Sequence, residues 1–157
     1  MSKGPHNKLR RQSRLSAVQA LYQMDVASLT SQQVIMEFLN HRFGFEDEAG
    51  MVAADEDYFE DLVNGVVERQ DEIDKMIAKN LSKNWTIKRL DLTLRAILRG
   101  GSYEILRRPD VPALVIIDQY VSITAEFHED NQTGFVNRVL ENMAKSARQA
   151  EFGISGA

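Results

Sequence analysis

Five cations, Lys3, Lys8, Arg10, Arg11 and Arg14, stand in the first 24 residues, and no Asp or Glu precedes Asp25. A guanidinium fork binds phosphate oxygens through paired N–H donors, so three closely spaced arginines suit a polyanion. The chain as a whole carries a net charge of -4, which makes this opening a +5 tip on a -9 body. Leu15, Val18, Leu21 and Tyr22 recur at helical spacing between Leu9 and about Val26. That spacing places Arg10, Arg11 and Arg14 in the first turn or so of a helix. Cations there oppose the positive end of the macrodipole, at about 0.3–1 kcal/mol each. An external phosphate at the exposed helix N–H groups would offset the cost. A solvated, frayed basic tail is the competing reading of the same charge.

Catalytic chemistry has little to draw on. His6, His41 and His128 are far apart and lack the spacing of metal ligands. Ser102 follows Gly100 and Gly101 but forms no G-x-S-x-G elbow, and neither a P-loop nor a G-x-G-x-x-G run occurs. Cysteine is absent, which removes disulfides, thiolate zinc sites and thiol nucleophiles and fits a reducing compartment. Glu46 to Asp61 holds eight acids and no base. It lacks the alternating ligand order of a calcium loop and reads as a solvated loop entering a helix, where Asp55, Glu56 and Asp57 complement the dipole. We therefore expect no enzyme, no metal and no cofactor. Tyr22 and Phe135 are of the residue type that stacks on unpaired bases. Taken singly each fits a core position as well, and stacking would require the two helix ends to converge.

The elements that position these residues are helical. With 43% apolar residues over 157 positions, the chain can bury one sizeable core. No apolar segment follows the basic start, and the longest, around Val111 to Ile117, stops at Asp118, so a soluble cytoplasmic protein is expected. Ser31 opens a short second helix with Val34, Ile35, Phe38 and Leu39. Phe43 to Ala54 is a loop. From about Asp57 the pattern Phe59, Leu62, Val63, Val66 and Val67 continues through Ile73, Met76, Ile77 and Leu81 in the same or a following helix. Gly65 inside it marks close packing. After a connection at Asn80 to Thr86, a helix over Ile87 to Arg108 turns Ile87, Leu90, Leu94, Ile97, Leu98 and Ile105 inward. Lys88, Arg89, Arg95 and Arg99 lie mostly outward, and Gly100-Gly101 predicts a kink or a close helix contact. Asp110 and Pro112 supply an N-cap and a first-turn proline for a central helix through Phe127. The last helix starts near Asn131 or Thr133 with Phe135, Val136, Val139, Leu140 and Met143 inward, before a frayed tail from about Glu151. An all-α bundle of six or seven helices follows.

Four strings carry a resemblance: RRQSRLSAVQALYQMD at 10 to 25, IKRLDLTLRAILRGGSYEIL at 87 to 106, VPALVIIDQYVSITAEF at 111 to 127 and GFVNRVLENMA at 134 to 144. Together, in this order, they resemble the NusB family of transcription antitermination factors. The resemblance implies a non-enzymatic all-α fold of about seven helices in two packed subdomains, about 9–82 and 83–150, within a domain of 9–150 flanked by flexible tails at 1–8 and 151–157. It implies binding of boxA-type single-stranded RNA together with NusE, a small-subunit ribosomal protein, within an RNA polymerase complex that suppresses termination on ribosomal RNA operons. Lys8, Arg10, Arg11, Arg14, Tyr22, Asn131, Phe135 and Arg138 would then meet RNA, and Lys88 and Arg89 would meet NusE. Whether the free protein is a homodimer stays open. Arg138 stands where the family usually has Gly, which requires an outward orientation or adds a phosphate contact. Gly100-Gly101 replaces better helix formers.

Two other classes remain in view. Some ribosomal RNA cytosine methyltransferases resemble this family in an N-terminal RNA-binding domain, although this chain holds no cysteine nucleophile. A protein-interaction module without RNA binding is the other.

Overall fold

The computed structural model describes residues 4–44, 51–127 and 129–154, with side chains from Asn7 onward. Lys3, His128 and the acidic stretch 46–50 lie outside the described residues, as does the side chain of His6. The described residues form seven α-helices: α1 (Gly4–Ala27), α2 (Ser31–Glu37), α3 (Glu56–Glu68), α4 (Gln70–Lys79), α5 (Leu92–Arg107), α6 (Ala113–Glu126) and α7 (Thr133–Ala147). Among the described residues the only β-type pairing is an isolated bridge, Phe43 to Val52. The chain divides into two compact units between Glu68 and Arg69. This differs from the boundary near residue 82 expected from sequence, because α4 packs on α5: Ile73 and Ile77 are buried and Asp74 pairs with Arg99.

In the first unit α1 lies along α3 and also touches α2. It begins at Gly4, earlier than periodicity predicts, so residues expected to be a tail are helical. Pro5 falls in its first turn, where a missing N–H costs no intrahelical bond. Ser13, Ser16, Ala17 and Ala20 are buried, and Ser13 Oγ donates to the Leu9 carbonyl at 3.0 Å. Asp55 caps α3 by accepting from Tyr58 N–H at 3.1 Å, and Glu56 and Asp57 occupy the first turn, as the dipole argument expects. The N-cap of α2 is Thr30 rather than Ser31. Its hydroxyl accepts from Gln33 N–H while the Gln33 side chain accepts from Thr30 N–H, a reciprocal box that Ser31 could not form because the glutamine stands three residues after Thr30. A π-helical turn, Phe38–Arg42, follows and brings Phe38 and Phe43 onto Phe59, with ring centroids 4.9–5.8 Å apart.

In the second unit α5 is central, packing on α4, α6 and α7. It starts five residues later than predicted: Ile87–Arg89 forms a 3-10 turn and Asp91 caps the helix, accepting from Leu94 N–H at 2.8 Å. Arg99, expected outward, is buried and bound bidentately by Asp74 at 2.9 Å on both nitrogens. Gly100 and Gly101 lie within a continuous helix and mark close contact: a Cβ on Gly100 would stand 3.1 Å from the Tyr120 ring, and one on Gly101 3.0 Å from Leu140. The Tyr120 hydroxyl donates to the buried Glu104 carboxylate at 2.6 Å.

Expectation fails more clearly at α6. Pro112 is its N-cap and Asp110 pairs instead with Arg108. Nor is α6 buried all round, since Leu114 and Val115 are exposed. The tail after α7 is tied down. Arg148 donates to the carbonyls of Glu104 and Ile105 in the last turn of α5 and of Arg108 and Val111 just beyond it. Glu151 accepts from the first N–H of α6, Ala113, at 2.8 Å, and that bond, with Arg148 beside it, holds its carboxyl below the ordinary value.

Two outcomes follow. Tyr120 is buried and its hydroxyl is committed to Glu104, so Gly100→Ala, despite a helix-propensity gain of about 1 kcal/mol, should suffer overpacking of about 1–3 kcal/mol and lower Tm. Gly101→Ala meets the end of the Leu140 side chain at 3.0 Å and the Tyr120 ring at 3.4 Å and should cost less, since its closest neighbour is the end of a flexible side chain. The stabilisation by Glu151 is fully present above its unfolded pKa and is lost as pH falls through its lower folded pKa. Glu151→Gln should therefore lower Tm at neutral pH and approach the parent as the pH falls through the folded pKa of Glu151 in a thermal-unfolding series.

Candidate nucleic-acid interface

The basic face of the first unit is built on one phenol ring. Arg10 and Arg14, one turn apart on α1, both point at Tyr58 of α3, with guanidinium carbons 4.4 and 5.3 Å from its centroid. Arg14 is buried and donates to the Tyr58 hydroxyl at 3.2 Å. Arg10 is half-buried and lies 3.8 Å from the Asp55 carboxylate. Its Nε is buried with no acceptor among the described residues. Because α1 begins at Gly4, these arginines sit in its second and third turns, beyond the reach of the end dipole. The expected dipole penalty is therefore absent, and Tyr58 and Asp55 supply the compensating partners inside the protein. Arg14 departs from the surface position expected of a phosphate contact. Lys8 is exposed, Arg11 half-buried, and Tyr22 exposed two turns beyond Arg14.

The second unit presents the other predicted residues around the start of α7. Asn131 is exposed in a 3-10 turn, Asp130–Gln132, that leads into the helix. Phe135 is half-buried in the first turn of α7, and the Arg138 guanidinium lies 5.6 Å from its ring centroid. Arg138 is exposed, so the glycine that the family usually has there is not demanded by packing. Phe135 borders an open cleft of about 360 Å³. A second aromatic ring, Trp85, lines it together with Leu90 and Leu94, and its polar groups are Arg89, Asp91 and Gln132. Arg89, which the resemblance assigns to the protein partner, thus shares a cleft with Phe135. Lys88 is exposed beside it. Near Asp91 the Glu129 carboxyl is raised above its ordinary pKa, first by burial and then by the charge and hydrogen bond of Asp91.

Two of these residues were not singled out by sequence. Tyr58 sits in an acidic helix start and gives no sign of its cationic neighbours. Trp85 did leave a signal: it is the chain's one tryptophan, and it stands among Ser82, Lys83, Asn84 and Thr86 with no helical periodicity to bury it. Among the described residues no group of His, Asp or Glu is arranged to hold a metal, and no helix is long and apolar enough to cross a membrane.

Among the described residues, seven α-helices in two units define a small all-α protein. Comparison with known proteins makes this specific. The NusB family model matches residues 11–145. The transcription antitermination protein NusB of Maricaulis maris is 50% identical, covering 92% of this chain and 91% of that protein. Its Caulobacter vibrioides counterpart is 47% identical over 87% of this chain and 92% of its own length. Among solved structures, T. maritima NusB superposes with a TM-score of 0.76 at 28% identity, covering 92% of this chain and 97% of that one. The crystal structure of antitermination factors NusB and NusE in complex with dsRNA matches in fold, with a TM-score of 0.69 at 24% identity over 88% of this chain and 98% of that one. The chain belongs to the NusB family.

Arg14→Ala removes a charged donor from a buried hydroxyl and should cost about 1.5–3 kcal/mol of stability. Chemical denaturation of the variant against the parent checks this.

Proposed function

We propose that this protein is a cytoplasmic transcription antitermination factor that binds boxA-type single-stranded RNA together with NusE and acts within the RNA polymerase complex on ribosomal RNA operons. The observation that carries this reading is the start of α7, where Phe135 keeps part of its ring exposed with Arg138 beside it, on a chain that belongs to the NusB family. Phe135 offers a base platform. Lys8, Arg11 and the exposed part of Arg10 meet phosphates, with Asn131 and Tyr22 as polar and aromatic neighbours of the RNA. Arg14 acts through Tyr58, by holding the ring on which Arg10 rests. Lys88 faces NusE. The relatives named above carry the antitermination name rather than a methyltransferase one, which favours this reading over an enzyme's RNA-binding domain.

The basic start of α1 offers few phosphate contacts, so RNA binding by the protein alone should be weak and NusE should strengthen it. By linkage RNA must strengthen NusE binding by the same factor. Titration of a boxA RNA and a scrambled RNA, each with and without NusE, tests this. The expected result is a preference for boxA that grows with NusE, with a salt dependence that falls by about 0.7 log units per log salt when Arg11 is replaced by Ala. Phe135→Ala should weaken RNA binding by about 1–3 kcal/mol while costing less stability than the 3–5 kcal/mol or so typical of a fully buried ring. Equal binding of the two RNAs with NusE present would refute the reading.

A further inference from the structure

We infer that Trp85 is a second base-stacking residue and that the cleft it shares with Phe135 receives one unpaired base of the bound RNA; this rests on the RNA-binding reading above. Trp85 is half exposed, between the polar residues Ser82, Lys83, Asn84 and Thr86. Leaving the largest apolar side chain in water forgoes burial that the fold could have used, and an indole pairs a large apolar face with one N–H donor. The chemistry of the cleft says what would cover it. Arg89 and Asp91 contribute one charge of each sign, and Asp91 is engaged in capping α5 and in contact with Glu129. A phosphate entering here would meet the Asp91 carboxylate, whereas a flat, uncharged heteroaromatic ring would meet two aromatic side chains and two leucines. Gln132 and Arg89 are placed to bond the polar edge of such a ring. Phosphates are better served by the cations that lie outside the cleft, such as Arg138. Base–aromatic stacking tolerates any base, so Trp85 extends the contact by one nucleotide without demanding its identity.

Because Trp85 is the only tryptophan, its fluorescence reports on the cleft directly. The experiment follows emission while boxA RNA, scrambled RNA or NusE alone is added to the full chain, and measures RNA binding with NusE present by an independent separation assay. Stacking predicts quenching by boxA RNA. Trp85→Ala should weaken boxA binding by about 5- to 150-fold, the worth of one stacked base, while Trp85→Phe, which keeps a stacking face, restores most of it. Unchanged thermal unfolding of Trp85→Ala would exclude a folding defect. If wild-type protein binds boxA RNA but emission is unmoved and Trp85→Ala binds equally well, the inference is wrong and the RNA reading stands. If NusE alone moves the emission and RNA adds nothing, Trp85 belongs to the protein partner's surface and the inference is again overturned. Failure of wild-type protein to bind boxA RNA with NusE would refute the RNA reading itself, and the inference with it.

Discussion

Nearly every side of α5 from Ala96 to Ile105 is buried, and two of the buried residues, Arg99 and Glu104, carry ionisable groups. A buried charge without a partner costs several kcal/mol, so the second unit must deliver partners to fixed points. Asp74 reaches Arg99 from α4, and the Tyr120 hydroxyl reaches Glu104 from α6. The ring of Tyr120 in turn requires the absence of side chains at Gly100 and Gly101. One set of contacts therefore fixes the helices around α5, and with them the start of α7, where Phe135 projects, and the capped start of α5, where the cleft forms. Arg148 completes the arrangement by binding the Glu104 and Ile105 carbonyls in the last turn of α5.

The first unit solves a different problem. Its basic face consists of like charges on one helix, and mutual repulsion would disperse flexible side chains into solvent. Tyr58 draws Arg10 and Arg14 onto one ring, and Asp55, already committed to capping α3, stands near Arg10. A pre-positioned cation loses less freedom on binding an anion than a mobile one does. The same contacts reduce the number of donors presented outward, so the unit trades total charge for order.

What could be read in the sequence follows from the range of the forces involved. Helix existence and the apolar faces of α3, α4, α5 and α7 depend on residues three or four apart, and these were legible. Asp55 before an acidic first turn was legible for the same reason. Pairings across tens of residues were not: Arg99 looks like a surface residue until Asp74 is placed beside it, and Arg14 like a phosphate ligand until Tyr58 is. Apolar content alone misplaced α6, because Leu114 and Val115 satisfy any hydrophobicity count and yet face outward. On the candidate site, the residue types at Arg10, Arg11, Phe135 and Arg138 were legible, but the cleft was not, since it joins a connection, a helix cap and the start of another helix.

Charge bookkeeping also limits how this protein can discriminate. Arg42, Arg69, Arg99, Arg107, Arg108 and Arg148 all stand in ion pairs with acids of their own unit. Those pairs that are exposed add little stability, but they cancel field at the surface. Residues 25–68 hold one base, Arg42, against eleven acids, whereas residues 69–157 hold thirteen bases against twelve acids, so the repulsion a polyanion meets is concentrated on residues 25–68. Non-specific binding of a nucleic acid is driven almost entirely by phosphate contacts, which that acidic segment disfavours. Stacking on partly exposed rings is insensitive to that repulsion and requires unpaired bases. With the charge of the second unit nearly balanced, its partly exposed rings, Phe135 and Trp85, are the feature of that surface on which unpaired bases and a duplex would differ.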